Sequence, residues 1–263
     1  MTVTATYEAT LARVRVAATD AFSASYITID RTSDGVRYTT VRGAARLTGG
    51  GGVSIDDFEF DPNVLNTYRA RSFSAVDAPL GTQTQTITPT ITQAWLKSVR
   101  RPFLNLAITV EDYSSLRRAS RAGRFDVPGR SFPVRVGDVS TSRDWSYELL
   151  AYSLAEARDL EYLIASGDEG YVQVPPGFDI PGGYIDLGNM ERSRVSRPLS
   201  DVRRRFSLQT YNIAAPAPTV VGYAATWAGI LADFGSWAAV KAAFATWADV
   251  MEYVADPSTV VVP

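Results

Sequence analysis

The chain has 263 residues, 46% hydrophobic and 21% charged, with a formal net charge of −2. It has no cysteine and no histidine, which excludes disulfides, thiolate or imidazole metal sites and histidine-activated nucleophiles. We expect two domains with an appendage, because the length exceeds one ordinary domain. We expect no cofactor and no bound metal. The sequence also predicts no export leader, no membrane insertion and no specific binding of nucleic acid, because apolar runs are short and the net charge is slightly negative.

Residues 1–80 predict an antiparallel β-sandwich. Short alternating segments such as SYITIDR and NTYRARSF are separated by turns, including Asp34–Gly35 and the glycine run at 49–52. The following segment, LGTQTQTITPTITQ, is rich in Thr, Gln and Pro. It indicates a linker, or alternatively an extended projecting segment, over 81–93.

Residues 94–215 again predict strands, with one helix among them. Ser153 and Glu156 have the spacing of a capping box, and Gly167 stands where a left-handed C-cap is expected. An apolar stripe lies between these signals and comprises Leu154, Ala157, Leu160, Leu163 and Ile164. One helix among many strands predicts a barrel or sandwich against which this helix packs.

Residues 216–263 predict a linker followed by helical ten-residue repeats. TWAGILADFG, SWAAVKAAFA and TWADVMEYVA place Trp227, Trp237 and Trp247 at equivalent positions. In one continuous helix, successive tryptophans would be rotated by roughly 80°. We therefore expect three short helices, each capped by the Ser or Thr before its tryptophan. So small a segment cannot bury these indoles itself, so we expect them to dock on a neighbouring subunit, on another protein or on the chain's own barrel.

Two charged segments are candidate sites. The DDFEFD run would place Asp57, Glu59 and Asp61 on one strand face, where they could hold calcium or activate water. Protection of an edge strand by like charges is the favoured alternative, and whether the run from Asp56 to Asp61 binds calcium stays open.

The arginine run before FSLQ is the second of these segments. Arg203 and Arg205 should share one strand face, for binding phosphate or, preferably, acidic residues of a neighbouring subunit. The full predicted assembly interface comprises Trp227, Trp237, Trp247, Phe234, Phe244, Arg203 and Arg205.

NTYRARSF, preceded by the turn DPNVLN, resembles strand F of a fibronectin type III domain. The resemblance covers about the first 80 residues. It places Tyr68 at a tyrosine corner, where the hydroxyl would bond to backbone a few residues upstream.

The element order from Phe103 to Leu208 includes GRFDVPGRSFPVRVGD, the helix SLAEARDLEYLIASG and the closing strand RRFSLQ. This order is similar to that of minor tail and distal tail proteins of long-tailed bacteriophages, and the arginine-rich composition resembles phages of actinobacterial hosts. The resemblance implies a tail-tube-like split β-barrel flanked by one helix. It also implies a ring around the tail axis, in which neighbouring sheets cover each other's strand edges and which joins the tube to the tip.

The function that follows is structural. The resemblance implies a virion protein of the tail tip or baseplate, made in the host cytoplasm, without catalytic residues. Its expected partners are copies of itself, as a hexamer or alternatively a trimer, and other tail proteins. The alternative is a receptor-recognition module that binds host cell-surface glycan, with Trp95 and Trp145 as candidate sugar platforms. An enzyme using paired carboxylates is the third hypothesis.

Overall fold

The computed structural model describes residues 1–19, 24–48, 52–126, 128–129, 131–137, 139–217 and 234–244. These residues are mainly β and form two compact units. The first unit is called the N-terminal unit, and its described residues come from 1–92, 99–105 and 216–263. Those of the second, called the barrel unit, come from 93–98 and 106–215.

The N-terminal unit contains two antiparallel sheets. Its strands are β1 (Thr2–Glu8), β2 (Arg13–Thr19), β3 (Tyr26–Thr32), β4 (Thr39–Thr40), β5 (Gly52–Asp57), β6 (Asn66–Phe73) and β7 (Pro79–Ile87). One sheet has the order β1-β2-β5 and the other the order β4-β3-β6-β7. Buried side chains alternate with half-buried or exposed ones along β2, and with half-buried ones along β6, which turns Val14, Val16 and Tyr68 inward.

The predicted linker over 81–93 is wrong for its first half. Residues 79–87 form β7, which pairs with β6 from Asn66 opposite Ile87 to Phe73 opposite Pro79. Most side chains of β7 are exposed. An edge strand needs only backbone hydrogen bonds from its neighbour, so a polar Thr-Gln alternation is compatible with the sheet although it has no apolar face.

The barrel unit is built on a closed barrel of six strands. The unit's strands are β8 (Ala94–Ser98), β9 (Leu106–Tyr113), β10 (Arg117–Arg118), β11 (Gly123–Phe125), β12 (Val134–Val136), β13 (Arg143–Ala151), β14 (Gly170–Gln173), β15 (Gly183–Arg194) and β16 (Arg204–Asn212). The ring runs β8-β9-β13-β16-β15-β14 and returns to β8. The sequence indicated a split barrel with edges covered by neighbours, but the β9–β13 pairing closes this barrel within the chain.

Alternation along β13 and β16 fills the barrel interior. Trp145, Tyr147 and Leu149 are buried on β13, and Phe206 and Leu208 are buried on β16. The register sets Tyr147 opposite Leu208, and Leu149 opposite Phe206. These opposed pairs give the barrel a layered apolar core.

Helix α1 (Leu154–Ala165) follows β13, and most of what the sequence predicted for it is confirmed, namely its position and both of its caps. The Ser153 side chain accepts a hydrogen bond from the Glu156 amide, and Gly167 has φ +69° after the last turn. The stripe is narrower than predicted, since Ala157, Leu160 and Leu163 are buried, Ile164 is half-buried and Leu154 is 54% exposed. Leu154 is the first residue of the helix, and the buried contacts begin only at Ala157, about one turn later.

Candidate assembly surfaces

The described part of the C-terminal segment contains helix α2 (Trp237–Ala243). The Ser236 side chain caps it by accepting a hydrogen bond from a first-turn amide at 3.3 Å, as predicted. Phe234 and Phe244 flank the helix, and their rings meet edge-on with centroids 5.3 Å apart. Trp237 is 44% exposed, whereas Val240 is buried.

The other two tryptophans of the ten-residue repeats, Trp227 and Trp247, lie outside the described residues. The arrangement of three equivalent short helices therefore stays a prediction. Within the described repeat, Trp237 presents part of its indole to solvent, as an interface anchor would.

Arg203 and Arg205 lie where the predicted strand begins, and both bind carboxylates of their own chain. Arg205 donates to Glu111 at 2.8 Å, and Arg203 donates to both oxygens of Asp201 at 3.1 and 2.9 Å. Hydrogen bonds, first of all from Arg203, hold the pKa of Asp201 well below its ordinary value. These internal ion pairs compete with the intersubunit pairing predicted for the two arginines.

The acidic run does not form one row of carboxylates. β5 ends at Asp57, so strand alternation no longer governs Glu59 and Asp61. Asp57 is buried and accepts a 2.7 Å hydrogen bond from Arg31, while Glu59 accepts one of 2.7 Å from Arg42. The described residues contain no acidic cluster suited to a metal ion.

Tyr68 is fully buried, and its hydroxyl donates to Oδ2 of Asp57 at 2.8 Å. The predicted tyrosine corner, with a backbone acceptor, is therefore wrong in this detail. Burial raises the pKa of Tyr68 well above its ordinary value of 10.0, and the charge of Asp57 raises it further. Burial alone would lower the pKa of Arg31, but the charge of Asp57, the neighbouring Tyr68 and the hydrogen bond to Asp57 together raise that pKa above its ordinary value.

The two candidate sugar platforms are core residues. Trp95 is 8% exposed and Trp145 is 4% exposed, so neither presents a face on which a sugar could stack. Next to Trp95, the buried Lys97 donates a 2.6 Å hydrogen bond to the buried amide of Gln173. These contacts give the segment a structural role in the barrel.

Residues 114–143, which comprise the connection between β9 and β13 and the first residue of β13, are called the arm. β10 extends the barrel sheet at its base, and β11 and β12 pair into a short ribbon. No described residue of the arm is buried. The described large apolar residues of the arm are therefore exposed to solvent, namely Leu116, Phe125, Phe132, Val134, Val136 and Val139.

The arm was not among the surfaces predicted from the sequence, although its amino-acid composition points to an interaction surface. Residues 114–143 contain seven arginines and two aspartates, a net charge of +5. The same residues served only to establish the order of elements. A basic excess combined with apolar residues in one connection is typical of an interaction surface.

No protein-family model matches the chain, and no curated protein matches it in sequence. Within the described ranges, no helix is long and apolar enough to cross a membrane.

Proposed function

We propose that this chain is a structural subunit of a phage tail tip or baseplate, located in the virion and active through assembly rather than catalysis. The order of its elements supports this proposal. The chain has a six-stranded barrel, a long connection before β13 and one capped helix after β13. This is the order of elements on which the resemblance to tail-tube-like domains depends.

The arm is the observation that carries the proposal. Six large apolar side chains are exposed in the arm, and none of its described residues is buried, which favours contact with a partner protein. A two-stranded ribbon such as β11–β12 is marginally stable by itself. Packing against another protein would stabilise it, as assembly into a tail would provide.

The proposed assembly is a ring around the tail axis, a hexamer or alternatively a trimer. Because the barrel strands close on themselves, subunits would join through the arm, loops and the C-terminal helices rather than by adding strands. In the same proposal, the two antiparallel sheets of the N-terminal unit form a fibronectin-like sandwich. The ten-residue repeats clamp a neighbouring subunit or another tail protein.

Mass spectrometry of purified particles from the phage that encodes the chain tests the proposal. We expect the chain in particles at ring stoichiometry, and rings with sixfold or threefold symmetry by electron microscopy. Absence of the chain from particles would overturn the proposal. A truncation after Pro218 should keep both β-domains folded but fail to enter tails, which tests the clamp separately.

A further inference from the structure

The ribbon of the arm has two chemically different faces, and neither is covered within the described chain. Its register sets Phe125 opposite Val134, on the face that also carries Val136. Arg124 stands opposite Arg135 on the other face. Paired residues of antiparallel strands share a face, so the ribbon has an apolar side and a guanidinium side.

The opposed arginines are unfavourable in the isolated chain, because like charges directly across a strand pair repel. Among the described residues, Arg124 has one ion pair, with Asp126 at 3.9 Å and with both side chains largely exposed, and Arg135 has none. A second pair, Arg118 opposite Arg143, repeats this arrangement where β10 joins β13. Both pairs would be stabilised by carboxylates supplied from outside the arm.

We propose that the arm docks on the barrel surface of a second copy of this chain, with its arginine pairs binding carboxylates there. The inference rests on the proposed assembly function and names the partner of the arm. The charges of the barrel unit complement each other: the arm carries +5, whereas the rest of the unit, 93–98, 106–113 and 144–215, has 13 acidic and eight basic residues. One copy therefore supplies a basic apolar arm, and the next supplies a surface with an acidic excess.

The apolar face favours a protein partner over nucleic acid. Arginines alone would suit phosphates, but valines and phenylalanine on the opposite face gain stability only when they are buried against apolar side chains. The ribbon would bury its apolar face against the barrel, and the long arginine side chains of the other face would reach carboxylates at the rim of that contact.

The test compares self-association of full-length chains by sedimentation velocity over a concentration series. We expect the wild type to associate, and the double variant Arg124→Glu/Arg135→Glu to associate at least roughly tenfold more weakly. Added salt should weaken wild-type association, since the contacts are charged. The control is Arg158→Glu, one charge reversal at an exposed helix position, half the charge change of the double variant; within the described residues Arg158 pairs with its neighbour Asp159, and the control should associate like the wild type.

A chain from which the arm has been deleted provides a second, independent experiment. Because Arg117 and Asp144 are already paired across β10 and β13, residues 119–141 can be replaced by a short Gly-Ser turn without cutting a barrel strand. This chain should not self-associate but should still bind the wild type, since it keeps the acceptor surface. Circular dichroism and thermal melting verify that each variant is folded.

Three results would overturn the inference. The first is a charge-reversed chain that associates like the wild type. The second is a wild type that stays monomeric although it is found in particles, which would leave the proposed function standing and assign the arm to another protein. The third is arm-dependent binding to a DNA duplex without self-association. Arm-dependent self-association of a chain absent from particles would instead reject the tail function alone.

Discussion

Tyr68 and Asp57 join the two sheets of the N-terminal unit through one buried hydrogen bond of 2.8 Å. Tyr68 lies on β6 and Asp57 ends β5, which belong to different sheets. The same Oδ2 atom of Asp57 accepts a bond from Arg31 of β3. One carboxylate oxygen therefore serves two donors of the opposite sheet.

Asp57→Ala should lower the free energy of unfolding by about 3–5 kcal/mol, because it leaves a largely buried guanidinium without its counter-ion. Tyr68→Phe should cost less, about 1–3 kcal/mol, since it leaves only one acceptor with a lost bond. Urea unfolding of the full-length chain measures both. The control is Asp77→Asn, at an exposed position with φ +59°, and its effect should stay below about 0.5 kcal/mol. Equal losses for Asp57→Ala and Asp77→Asn would contradict a buried charge pair.

The stability of the chain should fall as the pH rises above about 10. Tyr68 has a raised pKa in the folded state, mainly through burial, so the folded chain keeps a proton that the unfolded chain releases. This contribution is fully present below the unfolded pKa and is lost with increasing pH above it. The difference in unfolding free energy between the wild type and Tyr68→Phe should therefore shrink from about pH 9 to 11. A constant difference over this range would count against the raised pKa.

Leu160→Ala should destabilise the barrel unit by roughly 2–5 kcal/mol. Leu160 is 3% exposed on the inner face of α1 and lines a small cleft with Ala107 and Leu150. Leu154→Ala is the matched control, since the same side chain is 54% exposed there, and its cost should remain below about 1 kcal/mol. Thermal unfolding followed by circular dichroism distinguishes the two. An effect of Leu160→Ala no larger than that of the control would mean that the helix does not pack through this face.

Gly188→Ala should destabilise the β15–β16 hairpin by about 1–3 kcal/mol. A Cβ at Gly188 would lie 2.9 Å from the carbonyl oxygen of Gln209, a backbone atom that cannot move aside cheaply. The position lies in the register shift between Leu187 and Met190. Gly137→Ala is the control, because its Cβ would meet only the flexible Arg135 side chain at 3.5 Å. Hydrogen exchange across β15 and β16 reports the local effect, and unchanged protection in Gly188→Ala would argue against the close approach.

Features determined by neighbouring residues were predictable from the sequence. The caps at Ser153 and Ser236 follow from side chains that bond to backbone within one helical turn, and the left-handed Gly167 follows from the absence of a Cβ in glycine. The helix among the strands followed from periodicity, which left a barrel or a sandwich open, and a barrel was implied by the resemblance to tail-tube-like domains. Leu154 was assigned wrongly because helical periodicity gives a face but not the point along the axis at which packing begins.

Features determined by distant pairing were not predictable. Tyr68 finds Asp57 because two sheets bring β5 and β6 together, and no local pattern encodes that approach. The polar strand β7 resembled a linker because its stability comes from pairing with β6 rather than from an apolar face. The arginine pairs of the arm depend on the register of β11 with β12, which the sequence of either strand alone does not specify.

The hydrogen bonds of Arg42 bear on the order in which the chain folds. Its guanidinium donates to the carbonyl oxygens of Pro216 and Ala217, which are separated from it by more than 170 residues of sequence. During synthesis from the N-terminus, every barrel strand emerges before these two acceptors do. Arg42, which also pairs with Glu59, therefore cannot complete its hydrogen bonds until every barrel strand has been synthesised.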